Sequence, residues 1–233
     1  MDALHLSDRM AAVAAYVPND ARVADIGSDH AYLPANLILN KRIQFAIAGE
    51  VAKGPLENAE HEINKHRLNE QLIPRLADGL AAIQPEDEID TVVIAGMGGR
   101  LITQILEAGH QGDTQYDTII VQPNLDVDVV RTWFMQHQYA ISDERMLFDD
   151  GHYYEVVVAQ PGSAHYTETE LQFGPINIQE NGPIWRERWS RELARQREIM
   201  EKLVAADQTQ SEAYTNYQQT SQQIEEVLAD ASK

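Results

Sequence analysis

Apolar residues along this chain recur with two different periods, and the two alternate. Apolar, strand-like runs at residues 22–26, 45–48, 73–75, 91–95 and 118–122 read as buried strands. Between them, apolar positions return every three to four residues at 32–41, 54–66, 99–108 and 127–136, which predicts helices. A leading helix over residues 4–17, started by Ser7 or an earlier residue, places Met10, Val13, Ala14 and Val17 inward and Arg9 outward. Strand and helix alternating in this way predict an α/β fold with a parallel sheet and right-handed crossovers.

The pattern then changes twice. Residues 139–147 and 153–160, joined around Asp149-Asp150-Gly151, read as an antiparallel hairpin that closes the sheet edge and brings it to seven strands. Parallel strands followed by a terminal hairpin outline a Rossmann-like class I methyltransferase sheet, whereas a plain dinucleotide-binding sheet more often ends in another parallel unit. After residue 160 come the breakers Pro161-Gly162-Ser163, Phe173-Gly174-Pro175 and Gly182-Pro183. Two helical stretches follow, 184–206 with a stripe from Trp185 to Leu203, and 211–229 with Tyr214, Tyr217, Ile224, Val227 and Leu228. Their short polar joint predicts an antiparallel, coiled-coil-like helical hairpin. The expected division is a ligand-binding domain over 1–160 and an extension over 161–233.

Composition narrows the chemistry. The chain has no cysteine, which removes disulfides, thiolate metal sites and thiol nucleophiles. It shows neither a secretory leader nor an apolar stretch near the roughly 20 residues of a membrane span, so a cytoplasmic location is expected. The net charge of −19 argues against non-specific binding to polyanions. Both parts share it: 11 Lys+Arg against 25 Asp+Glu in residues 1–160, and 7 against 12 in residues 161–233. Charge alone favours a small-molecule or protein substrate. Arg188, Arg191 and Arg195 fall on one helical face as a possible phosphate stripe, but Glu187, Glu192 and Glu198 make an ion-paired solvated face the simpler account.

The candidate chemistry lies at the ends of the predicted strands. Asp25-Ile26-Gly27-Ser28-Asp29-His30-Ala31 turns from the first strand into a helix, where an open parallel sheet holds nucleotide-like ligands. Asp29 and Ala31 stand where a dinucleotide fingerprint has glycines, and a carboxylate there repels pyrophosphate. It suits the zwitterionic amino-acid end of S-adenosylmethionine. Glu50, with Val51 beside it, ends the second strand about 20 residues past the glycine turn, the place of an acid that binds ribose hydroxyls. Asp78-Gly79 follows the third strand, and Gly96-Met97-Gly98-Gly99 the fourth. The Asn/Asp-Pro-Pro-aromatic segment of many exocyclic-amine methyltransferases is absent from that last loop. Gln122-Pro123-Asn124 ends the fifth strand, where its amides either read a base edge or form a plain loop. The eight histidines show no metal-ligand spacing, so no metal is expected.

Taken in order, Leu6-Ser7-Asp8-Arg9, the Ala24–Pro34 segment, Gly49-Glu50, Gly54-Pro55, Asp78-Gly79-Leu80, Ala95–Gly99 and Gln122-Pro123-Asn124 closely resemble the bacterial tRNA (adenine-N1)-methyltransferases that modify adenosine 22. The resemblance spans essentially the whole chain and is weakest in the C-terminal helices. It implies S-adenosylmethionine as donor and tRNA as partner, with no membrane and a monomer left open as the default. It further implies donor contacts from Asp25, Gly27, Ser28, Glu50, Val51, Asp78, Gly79, Gly96 and Gly98. Asp29, Tyr32 and Met97 would stand at the reacting centre, and Arg9, Gln122, Pro123 and Asn124 beside the RNA. Two rivals remain at this level: a class I methyltransferase of a small molecule or protein, and a non-catalytic adenosine-ligand module.

Overall fold

The computed structural model describes residues 1–110 and 115–230, which form two compact units, Met1–His165 and Tyr166–Lys233. The first unit is built on a seven-stranded sheet with strands β1 (Arg22–Ile26), β2 (Phe45–Glu50), β3 (Leu72–Leu76), β4 (Thr91–Met97), β5 (Thr118–Pro123), β6 (Tyr139–Asp149) and β7 (His152–Pro161). The sheet order is β3-β2-β1-β4-β5-β7-β6, with β1 to β5 parallel and β7 antiparallel to both its neighbours. The first unit's helices are α1 (Asp8–Tyr16), α2 (Tyr32–Leu39), α3 (Lys53–His66), α4 (Gly99–Gly109) and α5 (Val127–Gln136). Strands β1, β2 and β5 are buried almost throughout, as helices on both faces of a parallel sheet require. Sheet order reverses between β1 and β4, so the crevice where such folds bind ligands lies above their carboxyl ends.

Two local features depart from the sequence expectation. The leading helix starts at Asp8, not near residue 4, because Asp2 Oδ1 accepts from the backbone N–H groups of Leu4 and His5 (both 2.8 Å) and ties those residues into a separate turn. Ser7 then caps α1, its Oγ accepting from Met10 N at 3.3 Å. Arg9 does not face outward: it is half-buried and reaches over the carboxyl edge of the sheet.

The β6–β7 hairpin turns on Asp150 (φ 46°) and Gly151 (φ 79°), both left-handed, as a two-residue Asp-Gly turn of type I′ demands. A buried ion cluster fastens it to α5. Arg131 Nε donates to Glu144 Oε1 at 2.7 Å, and Arg131 Nη2 donates to Glu155 Oε2. Arg131 and Glu144 are both out of contact with solvent.

The second unit holds α6 (Glu168–Phe173), α7 (Pro175–Glu180), α8 (Pro183–Ala205) and α9 (Glu212–Asp230). The first two occupy a stretch whose breakers predict only loop. The signal was present: Thr167 and Glu170 form a capping box, each satisfying the other's backbone N–H. Helices α8 and α9 run antiparallel, with Ser221 Oγ on Gln196 Oε1 (3.1 Å) and Arg197 on Glu225 (2.8 Å). Three arginines of α8 that share a face are ion-paired, Arg191 with Glu187 at 2.6 Å and Arg188 and Arg195 both with Glu192. No helix among the described residues is long and apolar enough to cross a membrane, and none of their side chains group to hold a metal.

Candidate functional site

The turn after β1 is held by backbone and carboxylates together. Gly27 N and Ser28 N both donate to Gly49 O, at 2.9 and 3.4 Å, which draws the loop over the end of β2. Gly27 adopts a left-handed φ of 73° that favours glycine, and the end of the Met97 side chain packs over its Cα. Asp29 (φ 57°) and Ala31 (φ 54°) are also left-handed without being glycine, a backbone arrangement that costs about 1–2 kcal/mol per residue and gathers at functional loops.

Three carboxylates converge there. Asp25 is buried at the end of β1 and accepts from Ser28 Oγ at 2.5 Å. Burial, only partly offset by that hydrogen bond and reinforced by Glu50, pushes its pKa up to about 7. Glu50 is 5% exposed and accepts from the backbone N–H of Asp29. Its pKa is raised by burial against the lowering effect of that N–H. Its Oε2 has no hydrogen-bond partner among the described residues. The Asp29 side chain itself is exposed, 3.8 Å from His30 Nε2, and His30 stacks on Tyr32 with ring centres 4.9 Å apart. Such a pocket attracts cations and hydroxyl groups and rejects anions.

Across the switch point, Gly96 (φ 79°) interrupts the β4–β5 register as a bulge and turns Met97 back over Gly27. The loop is anchored from β5: Asn124 N donates to Met97 O and Asn124 Nδ2 to Gly96 O, both at 2.8 Å. Gln122, fully buried, donates from Nε2 to Asn124 Oδ1 (3.2 Å) and accepts at Oε1 from Arg9 Nη1 (2.5 Å). Arg9 is fixed further by Asp149, whose carboxylate accepts Arg9 N at 3.0 Å, and by the Tyr154 ring, 5.3 Å from its guanidinium carbon. Gly99 closes the loop against α5, since a Cβ there would meet Asp126 O at 2.0 Å.

Most of the sequence-selected residues thus share one edge. Asp25, Gly27, Ser28, Asp29 and Glu50 form one cluster; Gly96, Met97, Gln122, Asn124 and Arg9 form a second, joined to the first where Met97 meets Gly27. Gly98 lies under Leu125, and Pro123 is buried at the end of β5. Val51 (71% exposed) and Asp78 are exposed on the rim, while Gly79 (φ 54°) backs onto Ile105. A cleft of about 470 Å³ runs from Asp78 and Gly79 along Leu101 and Gln104. Gln122 and Asn124 satisfy one another, so their amides hold the loop. Sequence reasoning missed Asp149 and Tyr154; the Asp-Gly turn marks the first as a hairpin tip, but nothing local shows that this tip reaches Arg9.

Comparison with known proteins places the chain. The model of the tRNA (adenine(22)-N(1))-methyltransferase family matches residues 23–230. The tRNA (adenine(22)-N(1))-methyltransferase of Bacillus subtilis is 41% identical over 216 residues, covering 90% of both chains. A Streptococcus agalactiae crystal structure, described as a member of the NADB-Rossmann superfamily, is 38% identical with a TM-score of 0.91 over 98% of this chain and 99% of its own. TrmK of M. capricolum, solved with S-adenosyl-homocysteine, is 28% identical with a TM-score of 0.87 over 98% and 99%.

Proposed function

The chain belongs to the tRNA (adenine(22)-N(1))-methyltransferase family, and from that premise we propose that it transfers the methyl group of S-adenosylmethionine to N1 of adenosine 22 in bacterial tRNA. The observation that carries the assignment to this edge of the sheet is the convergence of Asp25, Asp29 and Glu50 on a glycine turn roofed by Met97. That donor set fits the cofactor: acids for its ammonium and ribose hydroxyls, a Cβ-free turn for close approach, and a thioether against its apolar parts. S-adenosylmethionine supplies a methyl group already activated on a cationic sulfur.

The protein's own task is lighter than acid–base chemistry. Adenine N1 carries an in-plane lone pair and needs no deprotonation before it attacks, so alignment and exclusion of water dominate. Transfer moves one positive charge from sulfur to the base. A site with three acids tolerates that charge at both ends of the reaction. Asp29, the exposed acid of the three, accepts from the exocyclic amine, which grows more acidic as N1 gains its methyl. Met97 flanks the entering base, and Tyr32, stacked on His30, presents a flat ring beside it. Arg9, held by Gln122 and Tyr154, faces RNA. Adenosine 22 is extruded or locally unpaired to enter. The working compartment is the cytoplasm.

A tRNA transcript incubated with the protein and labelled S-adenosylmethionine gains label, whereas the same transcript carrying guanosine at position 22 gains none. Equal labelling of both transcripts would refute the assignment.

A further inference from the structure

The β6–β7 hairpin outruns the sheet that carries it. Strand β5 pairs with β7 only from Ile119↔Ala159 to Val121↔Val157, yet β6 and β7 stay paired as far as Asp149↔His152. At about 3.4 Å per residue the tip stands roughly 10 Å beyond Pro123, at the level of the reaction site. One face of this overhang already serves the site, because Asp149 and Tyr154 fix Arg9. Alternation along β6 puts Phe148 on the opposite face, with Glu144 and Met146. There Phe148 is 45% exposed, although it is a large aromatic in a well-paired strand.

Its surroundings hold it in place without covering it. Tyr153, directly across the ladder, lies 4.8 Å from its ring centre at 55° and buttresses one side. The strand beneath is clamped by Arg131 through Glu144 and Glu155. Leu125, which follows β5, is another large apolar side chain left exposed at the carboxyl end of the sheet.

We propose that Phe148 is a stacking platform for an unstacked nucleobase of the tRNA that neighbours the target adenosine. The occupant follows from continuity with the reaction site: an RNA strand whose base enters beside Arg9 and Met97 carries its neighbour over the hairpin tip. Stacking of an unpaired base on an aromatic face adds binding that needs no cation at that face, which a chain of net charge −19 can supply. The inference rests on tRNA being the substrate.

The test measures tRNA Kd and KM for the wild type and for Phe148→Ala, Phe148→Leu and Phe148→Trp, with S-adenosylmethionine affinity and light-scattering mass beside them. Loss of stacking raises Kd and KM for tRNA roughly tenfold in Phe148→Ala, leaves donor affinity unchanged, and is restored by Trp but not by Leu. Unchanged tRNA affinity in Phe148→Ala overturns the proposal, as does full rescue by Leu, which would mean apolar packing alone. A change of mass in Phe148→Ala without a change in tRNA affinity assigns the face to a second copy of the chain and overturns it as well. If the wild type binds tRNA but methylates nothing, the functional assignment fails while Phe148 is still judged on Kd; if it binds no tRNA, both fail.

Discussion

Asp25 and Asp29 are neighbouring acids in very different surroundings. Asp25 is buried beside Glu50, and its folded pKa of about 7 lies above the ordinary carboxylate value. The proton it holds makes a contribution to stability that is complete below about pH 4 and is lost as pH rises through about 7. Asp25→Asn, which keeps the Ser28 hydrogen bond, therefore raises Tm at pH 8 and changes it little at pH 5, as thermal melts at the two values will show. Donor affinity of the wild type, measured calorimetrically, rises between pH 6 and pH 8 because the ammonium needs Asp25 ionised; the Asn variant loses that rise. Asp29 is exposed and available to the reacting groups. Its replacement by Ala lowers turnover about 10- to 100-fold, the worth of one charge-assisted hydrogen bond; retained turnover at unchanged donor affinity would remove it from the mechanism.

At the scale of elements, the strands extend past the apolar runs that announce them. Runs ending at Ala48, Ala95 and Gln122 become strands ending at Glu50, Met97 and Pro123. The apolar side chains stop short of the strand ends, but the backbone ladder continues, and the candidate site residues occupy those extra rungs. That is why the strands were legible from hydrophobicity while the site had to be read from Gly, Asp and Glu at their ends. The ion cluster under the hairpin was not legible, since Arg131, Glu144 and Glu155 are far apart in sequence and look like ordinary surface charges. Arg131→Ala leaves Glu144 buried and uncompensated and destabilises the protein by about 3–5 kcal/mol in urea unfolding at pH 7. Gly99→Ala drives a Cβ into the Asp126 carbonyl and costs about 1–3 kcal/mol by the same measurement.

At the scale of the whole molecule, the acidic balance is reconciled with an RNA substrate by where the cations go. Arg75 and Arg131, with Arg188, Arg191, Arg195 and Arg197 of α8, are ion-paired to carboxylates of the protein, which withdraws them from the charge offered to phosphates. Binding of tRNA should therefore weaken between 50 and 200 mM salt by less than the 1,000-fold or more expected for six to ten phosphate contacts. Net charge, read from the sequence alone, argued for another class of substrate; it did so because a sum of charges does not see pairing. The ordered series of loops carried the opposite message, and the family match over residues 23–230 agrees with the loops. The missing Asn/Asp-Pro-Pro-aromatic segment weakens methylation of the exocyclic amine, in keeping with the proposed attack by ring N1. Complete nucleoside digestion of tRNA methylated by this protein tests that directly: all transferred methyl is predicted in 1-methyladenosine, and methyl recovered as N6-methyladenosine or in any other nucleoside would contradict it.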